Sequence, residues 1–304
     1  MSIADYQDIS YCGRWWQFIL ERFEPVSHLL MISLYFLAHL AVYHSVTENV
    51  PALTVCMLLF LSNLAFFFKL RLYDEIKDYE TDLKLNPSRP LARGLLNHRD
   101  LHIGIWLCIT AELLCFGFIN VAGFFSAVAA IGYSLLMYRE FFIKEYIRPL
   151  LTTYAVTHTV VCSMLSVAVL SSLSGEYPWL MKKEFLFFAL NSWFLFNIFE
   201  FGRKTFTSSE ERNGVASYSN IFGRSGAVIL VILMAFFSIF CLSQLSPGHK
   251  PVLLNSNITL AAMLALTGFI YAIWNKGNIG KIYRMFSSVY IIMSYIIFIW
   301  AAVL

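Results

Sequence analysis

The sequence has little charge, few prolines and no regular cysteine pattern. Only 13% of its 304 residues are charged, whereas 59% are hydrophobic and 17% aromatic, which is too apolar for a soluble domain of this size. The 6 cysteines are scattered, most of them within apolar runs, so neither a disulfide framework nor zinc-ligand spacing is indicated. Charges such as Asp5, Arg14 and Glu24 stand among aromatics in the first 26 residues, which does not fit a short cleavable signal peptide.

Apolar runs long enough to cross a bilayer recur along the whole chain. The predicted spans are 27–47, 51–72, 101–119, 121–138, 150–173, 185–202, 225–245, 252–274 and 285–303. Before them, residues 1–26 set Trp15, Trp16 and Phe18 against charged side chains, a pattern typical of an amphipathic interfacial segment. We therefore predict this segment at 1–26, followed by a single transmembrane domain over 27–304.

The distribution of positive charge predicts the orientation of the alternating spans. With the N-terminus inside, 19 Lys and Arg residues fall in cytoplasmic segments and 3 fall outside. The positive-inside rule then places the N-terminus and the charged loops at 69–100 and 203–224 in the cytoplasm. An integral, multi-pass protein is expected, with the lipid bilayer as a partner and without nucleic acid.

The most charged stretch of the chain runs from Lys69 to Gly94, where five acidic and six basic residues occupy 26 positions. If it is helical, Asp74, Glu75, Asp78 and Asp82 fall inside an arc of roughly 100°. Carboxylates on one stripe repel each other unless cations lie between them. Mg²⁺ prefers oxygen ligands and shares them with phosphate groups, so the stripe predicts a magnesium site.

Two arginines follow the acidic stripe. Arg89 and Arg93 bracket a Pro-Leu-Ala turn, and guanidinium groups match phosphate oxygens in shape and charge. The alternative is a solvated juxtamembrane face that only sets topology. Four acids on one stripe, followed by such a turn, exceed what orientation requires and favour a site for metal and phosphate.

The pattern from Asp74 to Asp82, with Ser-Arg-Pro-Leu-Ala-Arg-Gly at 88–94, resembles the first signature of the UbiA superfamily of intramembrane prenyltransferases. That signature usually reads N-D-x-x-D-x-x-x-D, followed by a basic segment and R-P-L-x-x-G. Asp74 stands in the Asn position and Glu75 in the first Asp position, and both departures keep oxygen ligands. The resemblance implies an all-α integral membrane protein with about nine transmembrane helices around a central cavity, and Mg²⁺ as cofactor.

A second candidate site lies at the inner end of the sixth span, where Glu200, Arg203 and Lys204 share one helical face. UbiA relatives carry a D-x-x-x-D-type motif here, whereas this chain adds acids only at Glu210 and Glu211, which puts a full second metal site in doubt. Arg203 and Lys204 are expected to neutralise diphosphate oxygens instead. The alternative is a positive-inside flank with Glu200 paired to Lys204, although a carboxylate among phenylalanines at a span end needs a functional partner.

Polar residues within or beside the spans complete the candidates. Arg139 closes the fourth span, where UbiA relatives often place a basic residue, and is expected to contact diphosphate. Glu112 lies about 16 Å deep in the third span, where an ionisable group is a functional candidate by default. Glu112, His158 and Asn191 are expected to line an acceptor pocket. The alternative is interhelical hydrogen bonding, which is favoured for Asn63 and Asn191.

The resemblance implies Mg²⁺-dependent transfer of a prenyl group from an isoprenoid diphosphate donor to a small-molecule acceptor, expected to be aromatic. The expected catalytic residues are Asp74, Glu75, Asp78, Asp82 and Glu200, the first four also being the metal ligands; the diphosphate-binding residues are Arg89, Arg93, Arg139, Arg203 and Lys204. An alternative within the same fold is a UbiA-type terpene cyclase, which ionises the donor without a second substrate. A transporter that relays ions through Glu112 and His158 is disfavoured, because the acid stripe lies at the membrane edge.

Overall fold

The structure is a computed structural model that describes residues 9–211, 214–245, 250–274 and 278–303. Residues 1–8 of the predicted interfacial segment and residues 212 and 213 of the second loop lie outside the described ranges. The described chain is all-helical, with a short 3-10 helix over Glu140–Phe142. Its α-helices are α1 (Tyr11–Arg22), α2 (Pro25–Thr47), α3 (Leu53–Lys77), α4 (Tyr79–Leu85), α5 (His98–Ile119), α6 (Val121–Tyr138), α7 (Lys144–Ile147), α8 (Leu151–Ser174), α9 (Lys183–Arg203), α10 (Tyr218–Ser243), α11 (Lys250–Ile273) and α12 (Ile279–Val303).

Within the described ranges, 9 helices are long and apolar enough to cross a membrane, namely α2, α3, α5, α6, α8, α9, α10, α11 and α12. The prediction of an all-α integral, multi-pass membrane protein is confirmed. The predicted spans end near the first charges, but the helices run further: α3 continues to Lys77 and α12 starts at Ile279. Helical hydrogen bonds still satisfy the backbone where the apolar run has ended. The helix α10 starts at Tyr218 and breaks at Gly223, whose φ of 69° suits glycine.

Local capping sequences set where several helices begin. The carboxylate of Glu24 accepts the backbone N–H of Ser27 at 2.7 Å, and Pro25 occupies the first position of α2, as is common at helix starts. At α5, Asn97 and Asp100 form a reciprocal capping box, with both hydrogen bonds at 3.0 Å. The capping box therefore fixes where α5 begins, and with it the end of the charged turn that follows α4.

The long helices form a closed ring. Each packs against the next long helix along the chain, and α12 returns to pack against α2. Across the interior, α9 also packs against α12, and α2 contacts α8 and α9. In this arrangement, the last turns of α3 and α9 and the first turns of α8 lie at one end of the ring. These turns carry predicted site residues.

The interior is rich in aromatic rings. Tyr35 makes edge-to-face contacts with Phe67 at 5.6 Å and Tyr295 at 6.0 Å between ring centroids, and Phe67 stacks on Phe196 at 5.9 Å. The Tyr35 hydroxyl donates to the carbonyl of Cys162 at 2.8 Å, because a buried hydroxyl needs a partner. These rings occupy the interior on the membrane side of the charged helix ends.

Small residues bring neighbouring helices close together. A Cβ added to Gly123 on α6 would meet the Ser172 backbone at 2.9 Å as well as its side chain, and a Cβ on Gly202 would meet Ser287 of α12. Asn120, which caps α6, also donates to the carbonyl of Ser172 at 2.7 Å. Close approach of this kind is how membrane helices gain packing energy without a hydrophobic driving force.

Replacing Gly123 by Ala is expected to destabilise the protein by about 2 kcal/mol, because the new methyl group forces α6 away from α8. Thermal unfolding in detergent measures the effect. The matched control is Gly132→Ala on the same helix, where an added Cβ meets nothing within 4 Å. Equal unfolding midpoints for both variants would contradict the close packing of α6 on α8.

Candidate functional site

The predicted acidic stripe spans a break between two helices. The helix α3 ends at Lys77 and α4 begins at Tyr79, and the junction residue Asp78 has φ −91° and ψ 0°. Asp74 therefore lies in the last turn of α3, and Asp82 lies within α4. The carboxylates follow one another along a bent segment rather than a single straight helical face.

Asp74 is paired with cations of its own helix. Its carboxylate lies 3.7 Å from Nη1 of Arg71 and 3.3 Å from Nζ of Lys77. The positive charge of Arg203, at the end of α9, also acts on Asp74. The structure thus brings the first acidic segment and the second candidate site into electrostatic contact across the ring.

Asp78 and Asp82 keep carboxylate oxygens free of hydrogen bonds. The side chain of Asp78 makes no hydrogen bond or ion pair within the described ranges, and burial, followed by the charges of Asp74 and Asp82, raises the pKa of Asp78. Asp82 is buried; its Oδ1 accepts from Asn86 at 2.9 Å. Its Oδ2 has no hydrogen-bond partner among the described residues and lies 3.6 Å from Nη1 of Arg89.

These free oxygens fit the chemistry of Mg²⁺. The ion usually takes one or two protein carboxylates together with water and substrate phosphates, rather than a cage made of protein alone. The described residues contain no group of three or more His, Cys, Asp or Glu side chains that could hold a metal ion. Asp78 and Asp82, with Asp74 beside them, are the residues that could hold Mg²⁺ shared with a phosphate.

Two predicted site residues point instead to α1. Glu75 is only 1% exposed, and its Oε2 accepts from Nε of Arg22 at 2.6 Å while its Oε1 accepts the backbone N–H of Leu91 at 3.2 Å. Arg93 donates through both terminal nitrogens to Glu21 at 2.7 Å. Both side chains therefore have partners in α1, and Glu75 is also bonded to the turn at Leu91.

In the second candidate site, Glu200 is held by two cations. Its Oε2 lies 2.5 Å from Nε of Arg203 and its Oε1 2.9 Å from Nζ of Lys204. The two acids further along the loop have structural partners: Glu210 forms a two-point ion pair with Arg284 at 2.8 and 2.5 Å, and Glu211 accepts from the hydroxyls of Ser217 and Ser219. Of the two cations on Glu200, Arg203 acts with its charge on Asp74.

Sequence reasoning missed a polar group beneath Asp74. Lys77 Nζ lies 3.4 Å from the hydroxyl of Tyr154 on α8. That hydroxyl donates to Glu140 at 3.3 Å, and Glu140 is paired with Arg148 at 2.6 Å. Arg148 also donates to the carbonyl of Lys77 at 3.1 Å, and its charge acts on Asp78.

Part of this group left a signal in the sequence. Arg71 and Lys77 lie three residues before and after Asp74, where a helix places side chains side by side. The pairing of Glu140 with Arg148 has no such signal in the sequence, because a left-handed turn brings the two residues together. Three consecutive residues from Glu140 to Phe142 have positive φ, between 50° and 58°, which composition does not predict.

Polar residues deeper in the bundle have separate partners. Glu112 is fully buried and pairs with Lys69 of α3 at 2.5 Å. Asn191 accepts from Ser238 of α10 at 2.6 Å, as expected for interhelical hydrogen bonding. Arg139 is exposed and lies over the neighbouring Tyr138 ring at 5.6 Å.

One ring nitrogen of His158 has no hydrogen-bond partner among the described residues, and the same holds for Oε1 of Glu112. The His158 ring stacks on Tyr154 at 3.8 Å, and its Nδ1 lies 2.7 Å from the carbonyl oxygen of Tyr154. A carbonyl can only accept, so Nδ1 carries the hydrogen, and in the neutral ring Nε2 is an acceptor. Nε2 is buried and has no hydrogen-bond partner in the described part of the chain.

The ion pair of Glu210 makes the second loop sensitive to pH. The hydrogen bonds from Arg284 lower the pKa of Glu210 to about 2 from an ordinary value of 4.5. Stability from a depressed carboxyl pKa is present above the unfolded value and is lost as the pH falls through the folded value. Glu210→Gln is expected to cost about 1 kcal/mol at neutral pH, since the pair is partly exposed.

Chemical unfolding of both proteins at about pH 7 and about pH 3 checks this expectation. The difference between wild type and variant should shrink at the lower pH, because Glu210 approaches protonation. Glu145→Gln, at an exposed glutamate on the same end of the molecule, is the control and should change little. A difference that grows on acidification would contradict the assigned ion pair.

Known proteins resemble this chain in structure only. No protein-family model matches the chain, and no curated protein matches it. A solved structure of digeranylgeranylglyceryl phosphate synthase, a protein studied in membranes, superposes with a TM-score of 0.62 at 14% identity, covering 95% of this chain and 98% of the other. The apo structure of a UbiA homolog from Aeropyrum pernix K1 superposes with a TM-score of 0.57 at 15% identity, covering 90% and 96%.

Both likenesses extend over nearly the whole of each chain, so they concern the complete helical ring rather than a shared pair of helices. At this level of identity they establish the architecture. The all-helical fold implied by the acidic signature is confirmed: this chain shares its fold with a UbiA homolog and with a digeranylgeranylglyceryl phosphate synthase.

Proposed function

We propose that the protein is an intramembrane prenyltransferase that moves a prenyl group from an isoprenoid diphosphate to a small-molecule acceptor, expected to be aromatic. One observation carries the proposal: among the described residues, the Asp78 carboxylate and the Oδ2 atom of Asp82 have no hydrogen-bond partner, and they lie beside a group of cations at one end of the helical ring. Carboxylates suit a divalent cation and arginines suit phosphate oxygens. The likeness to a digeranylgeranylglyceryl phosphate synthase supports chemistry on a prenyl substrate.

Asp78 and Asp82, with Asp74 next to them, would hold Mg²⁺ in common with the diphosphate. When bound, the ion supplies Lewis-acid stabilisation of the charge that develops on the departing diphosphate. Asp82 is already oriented by Asn86 and faced by Arg89. That arrangement keeps one carboxylate oxygen in place and available.

Fixed cations would bind the remaining diphosphate oxygens. Arg71 and Lys77 flank Asp74 on α3, and Arg203 and Lys204 reach the same region from α9. Because Glu210 and Glu211 are occupied within the second loop, we propose that Arg203 and Lys204 take the place of a second metal ion. Glu200 would keep both side chains in position until substrate binds.

The prenyl tail would extend into the aromatic interior. The rings of Tyr35, Phe67 and Phe196 contact one another there, and ring faces stabilise a cation when water is excluded. The bond between the allylic carbon and the diphosphate oxygen breaks, and its electron pair leaves with the diphosphate. The acceptor then forms a bond to the allylic carbon and loses a proton.

His158 is the acceptor-side residue that the geometry favours among the predicted pocket residues. Its Nε2 is a buried acceptor without a donor, and its ring lies near the charges of Lys77 and Asp74. It would accept a hydrogen bond from an O–H or N–H group of the acceptor. Glu112 and Asn191 would support the pocket indirectly, because they are paired with Lys69 and Ser238, respectively.

The proposed orientation puts the substrate mouth in the cytoplasm, with the N-terminus and both charged loops on that side. The supporting observation is the excess of Lys and Arg on the predicted inner segments. Accessibility of single cysteines introduced at exposed loop positions, such as Glu80 and Glu145, measures this orientation in intact membranes.

Asp78→Asn is expected to lower turnover by about 100-fold or more, because it removes charge where Mg²⁺ and diphosphate meet while keeping the side-chain shape. Product mass spectrometry with purified protein, Mg²⁺, prenyl diphosphates and aromatic acceptors measures it. The control Glu80→Gln neutralises an exposed acid two residues away and should retain activity. Near-normal turnover of Asp78→Asn would remove the metal assignment, and a terpene formed from the donor alone would indicate the cyclase alternative.

A pair of variants at His158 checks the acceptor site. His158→Leu is expected to reduce kcat/KM for the acceptor by about 10-fold, since an acceptor O–H or N–H is then left without a partner. His158→Gln keeps a hydrogen-bond acceptor and should recover part of the loss. The KM for the prenyl diphosphate should stay the same in both variants; a change confined to the donor KM would place His158 on the donor side instead.

A further inference from the structure

We propose that Glu75 anchors the N-terminal helix α1 rather than binding metal, and that Arg22 of α1 is a positioning residue for the diphosphate site. The inference rests on the proposed function for its meaning in catalysis. It concerns the side chain that stands in the first aspartate position of the UbiA-like signature, where the resemblance implies a metal ligand. The contacts of that side chain point to a different role.

Both oxygens of Glu75 are already engaged, in different directions. Oε2 accepts from Nε of Arg22 at 2.6 Å, and Oε1 accepts the backbone N–H of Leu91 at 3.2 Å. The Glu75 side chain is 1% exposed, so a metal would have to displace the Arg22 guanidinium from a buried carboxylate. Removing one partner of a buried pair leaves an uncompensated charge, which is strongly unfavourable. Asp78, in contrast, has no ion pair in the described ranges.

A second ion pair of opposite polarity lies directly beside the first. Glu21, the neighbour of Arg22 in α1, accepts from both terminal nitrogens of Arg93 at 2.7 Å. Arg93 also donates to the carbonyl of Ser88 at 2.5 Å. On α1, the acid Glu21 therefore pairs with the base Arg93, and the base Arg22 pairs with the acid Glu75. Because the two pairs have opposite polarity, they fix the register of α1 along the motif.

These contacts join three segments that carry the proposed site. Arg22 and Glu75 link α1 to the inner end of α3, and the hydrogen bond from Leu91 links the turn at 88–94 to the same carboxylate. That turn carries Arg89, whose guanidinium lies 3.6 Å from Asp82. The position of α1 therefore sets where Arg89 stands relative to Asp82, the distance that a shared phosphate would have to span.

Packing supports the same placement of α1. The Tyr11 hydroxyl donates to Asp100 at 3.3 Å, and the Trp15 ring lies against Gly104 of α5, where an added Cβ would come within 2.9 Å of it. Trp15 and Phe18 also contact Phe68 of α3. The ion pairs therefore act on a helix that is already seated against α3 and α5.

A double-mutant cycle tests the pair. Arg22→Met leaves the buried Glu75 carboxylate without its ion-pair partner, and Glu75→Met leaves the partly exposed Arg22 guanidinium without one, whereas the double variant leaves neither charge. We expect each single change to lower the thermal unfolding midpoint and to raise the donor KM about 10-fold, with kcat and the acceptor KM little changed. The double variant should recover most of both losses, since apolar replacement of a buried pair is well tolerated.

A metal-ligand role for Glu75 predicts the opposite pattern. Arg22→Met would then be nearly normal, while both variants lacking Glu75 would fail to turn over whatever stands at position 22. Binding of inorganic pyrophosphate with Mg²⁺, measured by calorimetry, adds a readout that needs no turnover. It should be weakened in both single variants and restored in the double variant if Glu75 is an anchor; loss in Glu75→Met and in the double variant alike would overturn the proposal.

An isosteric variant covers the case in which the methionine variants do not fold. Glu75→Gln keeps an acceptor for the Leu91 N–H, while it removes the charge and puts an amide NH2 in place of the oxygen that accepts from Arg22. It should weaken pyrophosphate binding far less than Asp78→Asn, and an equal loss in the two would overturn the anchor role. Coupling between positions 22 and 75 in thermal unfolding is measured without substrate, so it would persist even if wild type transferred no prenyl group, and only the proposed function would then fail.

Discussion

Charge held where water is scarce must be compensated, and this constraint organises the inner half of the molecule. Lys69 and Glu112 are 0% exposed and lie 2.5 Å apart between α3 and α5; either one alone would be a costly buried ion. Their pairing fixes the rotation of α3 about its axis. Asp74, five residues further on, then lies about 140° around the helix from Lys69, and so faces away from α5 toward the charge of Arg203 on α9.

The same constraint separates the acids of the first motif. Glu75 is satisfied by Arg22 and a backbone N–H, and Asp74 by Arg71 and Lys77. Asp78 has no paired cation among the described residues, and its pKa is raised by burial and by its acidic neighbours. A carboxylate without a paired cation is stabilised most by a cation that binds beside it, so Asp78 is the acid of the motif best suited to bind one.

The second candidate site follows from the same balance of charge. Glu210 and Glu211 could have offered ligands for another metal. Instead, they stabilise the loop through Arg284 and two serines. Two cations remain on Glu200, and the charge of one of them, Arg203, acts on Asp74. In the proposed function these cations would attract a diphosphate without a second metal ion, already oriented by Glu200.

The sequence by itself determined the number and position of the apolar helices and the place of the charged segment between them. Length, hydropathy and cap residues act locally, so nine spans and a charged inner loop follow from composition and spacing. It also placed Asp78 and Asp82 in the charged segment beside Arg89, because their spacing is short. Only the ends of the spans differ, where helices continue beyond the apolar run.

The tertiary structure decided which acids are free. From the sequence, Glu75 and Asp78 are equally good candidates for a metal ligand. Arg22, however, is 53 residues away from Glu75 along the chain, and no local pattern predicts that pairing. Likewise, Arg148 reaches Lys77 and the charge of Asp78 only because a left-handed turn at Glu140 redirects the chain. Periodicity reports which residues share a helical face, whereas the neighbour of that face depends on how separate helices pack.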